Sequence, residues 1–197
     1  MATIETPVLL TSLAGAGLLP SPVILSTFKP TVQLSVSFND VPVAAGNLFR
    51  ASSCKSAPVV TFTPEAGTSA DTKYTFLLVD PDAPTPDDPK FAYWRHWVVS
   101  SILGTGEDVS KNGKTLTEYL GPGPKDDSKP HRYLFLLYRE PKDLKELTKE
   151  DVGGEEFVQR RSFGAKEWTE KHGLELVGVN WMLGAGDGWK DSDKDEL

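Results

Sequence analysis

Lys73-Tyr74-Thr75-Phe76-Leu77-Leu78-Val79-Asp80, followed at once by Pro81-Asp82-Ala83-Pro84, decides how this 197-residue chain folds. Side chains alternate along a β-strand, so Tyr74, Phe76 and Leu78 share one face while Leu77 and Val79 share the other. Both faces are apolar, which places the strand centrally in a sheet that is covered on both sides. Asp80 then leaves the sheet at its edge, and Pro81 and Pro84 fix the backbone beyond it. A turn of this composition is also explained by aspartates that cap backbone amides. Asp80 is the residue assigned to a pocket and Asp82 the one assigned to the turn.

Outward from this strand the chain reads mostly as β-structure. Val32, Leu34, Val36 and Phe38 alternate with polar neighbours, and Asn39-Asp40 is a turn after them. Pro58 to Thr63, His96 to Leu103 and His131 to Arg139 are further strands. The segments between them, 81–92 and 104–130, are too long for tight hairpins and are candidate functional loops. Beyond Pro141, charge interleaves with sparse apolar residues. Short helices are expected over Glu155 to Arg161 and Ala165 to Lys171, with Phe157, Phe163 and Trp168 inward and Gly173 as a stop. Leu174 to Leu183 returns to β character. The expected fold class is mostly β with a small helical annex, an antiparallel β-sandwich. The expected organisation is an N-terminal extension over 1–31, one domain over 32–183 and an acidic mobile tail over 184–197.

Composition narrows the function. Hydrophobic residues at 39% and charged residues at 25% describe a globular domain, and a formal charge of −7 argues against a nucleic-acid partner. The lone Cys54 excludes an internal disulfide. No run approaches the ~20 apolar residues of a transmembrane helix. The chain ends Lys194-Asp195-Glu196-Leu197, a literal endoplasmic-reticulum retrieval signal that acts only after entry into the secretory pathway. Met1 to Pro20 carries Glu5 and no Lys or Arg, which is a poor signal peptide. The expectation is therefore cytoplasmic, with the endoplasmic-reticulum lumen as the alternative.

Three more motifs follow the opening strand: Trp94-Arg95-His96-Trp97, Gly121-Pro122-Gly123-Pro124 and His131-Arg132-Tyr133. His96 and His131 each open a strand after a Pro/Gly-rich loop, and an imidazole can donate to a phosphate oxygen. Gly123 brings bare backbone near a ligand. No Gly-Lys-Ser/Thr follows, so the loop is not a nucleotide-binding P-loop. One of Trp94 and Trp97 should pack inside while the other forms a rim. Arg132 should pair with an acid, and Asp87, Asp88, Asp126 and Asp127 read as solvated acids. His172 reads as a helix-end residue.

In this order and at these separations, the four motifs resemble the phosphatidylethanolamine-binding protein family, over about Val32 to Met182. The family includes Raf kinase inhibitor proteins, plant flowering-signal proteins and the yeast carboxypeptidase Y inhibitor. The resemblance implies a β-sandwich and a ligand pocket lined by Asp80, His96 and His131, with Tyr133 in its wall. It also implies a cis bond before Pro84 and a loop wall at Gly123 and Pro124, where Lys125 stands in place of a usual second proline. Its members act by engaging partners, among them kinases or a serine carboxypeptidase.

An enzyme is not expected. Gly-x-Ser-x-Gly is absent and no Cys/His signature is present. No catalytic residue and no cofactor is assigned. Asp80, His96 and His131 could together hold a metal, but nothing in their spacing selects for one. The function read from the sequence is a non-enzymatic binding or regulatory protein for an anionic phospholipid head group or a phosphorylated side chain. The alternatives are a scaffold or peptidase inhibitor with a vestigial pocket and, less favoured, a metal-dependent phosphoesterase.

Overall fold

A computed structural model describes residues 4–191. Two sheets face one another. The smaller has the order β2-β1-β4, from β1 (Leu34–Phe38), β2 (Val41–Pro42) and β4 (Val59–Phe62). The larger has the order β3-β9-β8-β5-β6-β7. Its strands are β3 (Leu48–Arg50), β5 (Lys73–Asp80), β6 (Trp94–Leu103), β7 (Lys114–Thr117), β8 (His131–Arg139) and β9 (Glu175–Ala185). All pairings are antiparallel except β3 with β9, which is parallel at the sheet edge.

The opening strand behaves as its composition demands. β5 lies between β8 and β6, and every residue from Tyr74 to Asp80 is buried. Tyr74, Phe76 and Leu78 pack with Leu34, Val36, Phe38, Val60 and Phe62 of the small sheet. Leu77 and Val79 face the other way, into a second cluster with Leu9, Leu13, Leu18, Ile24, Phe163 and Trp168. Asn39 and Asp40 have φ of 48° and 64°, the left-handed pair of a two-residue hairpin between β1 and β2.

The second cluster shows what lies before the first strand. Helix α1 (Thr6–Gly15), which the sequence reading did not anticipate, buries Leu9 and Leu13 against the large sheet. Each buried leucine contributes about 1.5–3 kcal/mol. Trp181 of β9 donates from Nε1 to Ser12 Oγ at 3.1 Å and so ties the helix to the sheet. Residues assigned to an extension thus supply part of the core.

The long loop after β6 carries a helical turn, α2 (Val109–Asn112), and the edge strand β7 before it reaches the glycines. Helix α3 (Ala165–Lys171) is where it was expected, with Phe163 and Trp168 buried and His172 at its C-cap. The other expected helix is only a 3₁₀ turn over Phe157–Arg160. Phe157, assigned inward, is 59% exposed. A single 3₁₀ turn has no continuous buried face, and its inward contact is Arg160, which donates to the carbonyls of His96 and Glu118.

At the other terminus, Gly184 and Ala185 belong to β9. Arg50 Nη1 then donates to the carbonyls of Gly186 (2.9 Å) and Trp189 (2.7 Å), and Gly188 N to Asp126 Oδ1 (2.9 Å). Through Asp191 the segment read as a mobile tail is therefore docked, and Asp126 is one of its anchors. The retrieval tetrapeptide, Lys194 to Leu197, lies outside the described residues. Among the described residues no helix is long and apolar enough to cross a membrane.

Candidate functional site

β5, β6 and β8 bring three sequence-distant residues to one end of the large sheet. Asp80 is the last residue of β5, His96 the third of β6 and His131 the first of β8. All three are buried, and they line one cleft of about 250 Å³ together with Pro84, Gly123, Pro124 and Tyr133. Every residue nominated from the sequence is in that wall. The peptide bonds before Pro84 and Pro20 are cis, as is Ala92-Tyr93.

Asp80 organises the floor. Its Oδ2 accepts from His131 Nδ1 at 2.8 Å, and its Oδ1 accepts from the backbone N–H of Asp82 at 2.7 Å. Asp82 does the structural work assigned to it. It accepts from the Arg132 backbone at 2.7 Å and from the Arg132 guanidinium at Nε (2.9 Å) and Nη2 (2.5 Å). Arg132 therefore pairs with an acid beneath the cleft, and its Nη1 reaches back to the Ala16 carbonyl at 2.7 Å.

Ser128 Oγ lies 3.1 Å from His131 Nε2, so Asp80, His131 and Ser128 share the connectivity of a Ser-His-Asp triad. Ser128 is absent from the cleft wall, and its hydroxyl also lies 3.0 Å from the Lys129 carbonyl. The chain of contacts holds the His131 ring in place.

His96 is held by one nitrogen only. Its Nδ1 stands 2.6 Å from the Leu120 carbonyl and donates to it, which leaves Nε2 without a protein partner among the described residues. Burial lowers its pKa from the ordinary imidazole value, while Asp80 and the Leu120 carbonyl act in the opposite sense. In the neutral ring Nε2 carries a lone pair, so it donates to an anion only after taking up a proton. Tyr133 packs edge-on against His96 (5.2 Å between ring centres) and stacks on His131 (6.3 Å). Burial raises the Tyr133 phenol pKa and the Asp80 charge adds to it, so the side chain is a neutral hydroxyl.

Two glycines are needed for packing. A Cβ on Gly184, opposite His131 in the sheet, would sit 2.5 Å from the Tyr133 ring. A Cβ on Gly121 would sit 2.4 Å from the Cys54 carbonyl. Around Gly123, by contrast, no atom lies within 4 Å of a Cβ position, so its backbone is open to the cleft.

The sequence reading missed the aromatic and cationic side of the cleft. Phe91, Phe157 and Arg161 join Trp94 in lining it. Trp97 is the tryptophan that packs inside and Trp94 the one at the rim, edge-on to Phe157 at 4.7 Å. Arg161 sits over the Phe91 ring at 4.6 Å, with Phe157 at 5.7 Å and Trp94 at 5.9 Å. Nothing in the sequence marks it, since Phe157 to Arg161 reads as an ordinary helix turn with Phe157 inward. Among the described residues no group of three or more His, Cys, Asp or Glu could hold a metal ion.

Comparison with known proteins bears on the same fold. Residues 33–181 match the family model described as phosphatidylethanolamine-binding protein. An uncharacterised protein of Saccharomyces cerevisiae is 32% identical over 166 residues, covering 79% of this chain and 83% of that one. The carboxypeptidase Y inhibitor of Saccharomyces cerevisiae is 29% identical over 187 residues, with 80% and 85% covered. In the crystal structure of carboxypeptidase Y inhibitor complexed with its cognate proteinase, the inhibitor superposes with a TM-score of 0.80 at 28% identity, covering 92% of this chain and 97% of that one.

Proposed function

Starting from the fact that the chain belongs to the phosphatidylethanolamine-binding protein family, we propose that it is a non-enzymatic binding protein whose cleft holds a phosphate-bearing group, on a lipid head group or a side chain. The observation that carries this is His96. The ring is buried in the wall, fixed through Nδ1 and open at Nε2, beside the bare backbone of Gly123. An anion there accepts from protonated Nε2 in a charge-assisted hydrogen bond, while Asp80 keeps His131 and the floor in place.

The chemistry fixes a pH dependence. With its pKa depressed by burial, His96 is neutral at and above neutral pH, and anion binding must draw a proton onto Nε2. Affinity for sulfate, whose charge is constant over the range, should rise as pH falls from about 7.5 toward 5.5, by up to about tenfold per unit. His96→Asn should flatten that dependence. Calorimetry in two buffers of different ionisation enthalpy checks for uptake of one proton. No saturable binding of sulfate or phosphate at either pH would sink the proposal.

A second reading is favoured by the structural likeness to a proteinase-bound inhibitor over nearly the whole of both chains. In it the protein binds and inhibits a carboxypeptidase through a surface other than the cleft. Inhibition of carboxypeptidase Y by the wild-type chain, unchanged in His96→Asn, would support this reading; no inhibition at micromolar protein would remove it.

A further inference from the structure

Among the described residues the Arg161 guanidinium has no acidic partner, in a cleft that it lines together with His96 and Trp94. The rings of Phe91, Trp94 and Phe157 surround it, their centres 4.6, 5.9 and 5.7 Å from Cζ. Contact with ring faces satisfies none of its N–H donors. Arg161 Nε is buried and has no hydrogen-bond partner. The same is true of Trp94 Nε1, on a residue that is only 8% exposed. A buried donor without a partner is costly and calls for an explanation. Here two of them belong to residues that line one cleft with the open Nε2 of His96.

Spacing ties the three together. The Trp94 and His96 ring centres are 6.4 Å apart, and Arg161 Cζ is 5.9 Å from the Trp94 ring. Arg161 Cζ is therefore no more than about 12 Å from the His96 ring centre, and an anion in the cleft they both line feels the arginine's charge. We propose that Arg161 is the charge-selecting residue of the cleft, and that it makes the site prefer a phosphate monoester, with two negative charges near neutral pH, over a phosphodiester with one. This rests on the cleft being an anion site and adds the class of phosphate. A diester has two unsubstituted oxygens and one charge to offer Arg161 and His96. A monoester has three. Two charges also suit a cleft in which the arginine is not neutralised by a protein carboxylate.

The test is calorimetric titration of wild type, Arg161→Gln and Arg161→Lys with inorganic phosphate, ethyl phosphate and diethyl phosphate near neutral pH. Wild type should prefer ethyl phosphate to diethyl phosphate by about tenfold or more. Arg161→Gln should lose about tenfold or more for ethyl phosphate and under about threefold for diethyl phosphate, and Arg161→Lys should recover part of the loss. Thermal melting of each variant confirms that it is folded; if Arg161→Gln is not, the Arg161→Lys selectivity and that of wild type decide. Equal affinity of wild type for the two esters, or unchanged selectivity in the folded variants, overturns the assignment of Arg161 and leaves the anion site standing. Failure of wild type to bind any of the three overturns both. Glycerol phosphate in solution and phosphatidylcholine vesicles carrying phosphatidic acid separate a soluble from a lipid source of the monoester. Arg161-dependent binding in either arm supports the proposal, and absence from both overturns it.

Discussion

The two ends of strands β5 and β8 are built from similar residues and treat them differently. At the far end Arg139 is saturated. Its Nη1 donates to Glu65 Oε1 and Oε2 at 2.8 and 2.7 Å, and its Nη2 pairs with Glu175. Beside it Glu140 accepts from Thr75 Oγ1 at 2.6 Å and from Ser101 N at 2.7 Å. At the near end the acids are equally well held, but the donors are not. Among the described residues His96 Nε2, Trp94 Nε1 and Arg161 Nε lack partners beside the cleft. The Tyr74 and Tyr138 hydroxyls and His172 Nε2 are also unpartnered toward the far end, but the arginine there, Arg139, is paired with acids, as Arg161 is not. The difference teaches which end is for stability and which has donors to spare for a ligand.

The largest effect should come from breaking the near end at its floor. Asp80→Ala strands the His131 ring and the Asp82 amide in a buried place, and should cost about 3–5 kcal/mol. Anion binding should vanish with it. Urea unfolding and a phosphate titration check the two parts, and Asp80→Asn, which keeps the shape, should cost less and remain folded for the titration. A stability loss under about 1 kcal/mol would mean that the floor is not the keystone the contacts describe.

The next prediction sharpens the contrast from the other side. Glu140→Ala leaves Thr75 Oγ1 and Ser101 N without their acceptor and should cost about 2–3 kcal/mol. Nine residue steps, from His131 along β8 to Glu140, separate it from the cleft by about 30 Å at ~3.3 Å per residue. Phosphate affinity should therefore stay within about twofold of wild type, as distant sites behave independently. A coupled loss of binding would show that the two ends are one cooperative unit and would dissolve the comparison.

Much of this was legible because of how the residues repeat. β5 announces itself through five apolar residues on two faces, and Asp80, His96 and His131 mark strand ends by standing next to loops rich in proline or glycine. What could not be read has physical reasons. Helix α1 has leucines at 9, 10 and 13 but a weak polar contrast, so its buried stripe exists only once a sheet is there to cover it. Gly184 looks like the end of a strand until Tyr133 is seen lying across it. Phe157 and Arg161 have the spacing of an ordinary helix turn, and their exposure beside Trp94 is created by tertiary structure alone.

Lys125 offers the smallest effect and the finest test. It stands where the family resemblance implies a second proline, and the turn is held by other means. Ser128 N donates to the Lys125 carbonyl at 3.1 Å, the next residue, Asp126, is tied to Gly188, and Pro122 and Pro124 are buried. The ammonium group is on an exposed residue of the cleft wall, where water and salt weaken its field. Lys125→Gln should therefore reduce phosphate affinity by only about two- to threefold, and the deficit should disappear at about 1 M salt. A loss of about tenfold that survives salt would instead make Lys125 a direct partner of the ligand, and the donors available at the near end would number four. Lys125→Pro should match Lys125→Gln, since the hydrogen bonds that the wall already has leave a proline nothing to rigidify.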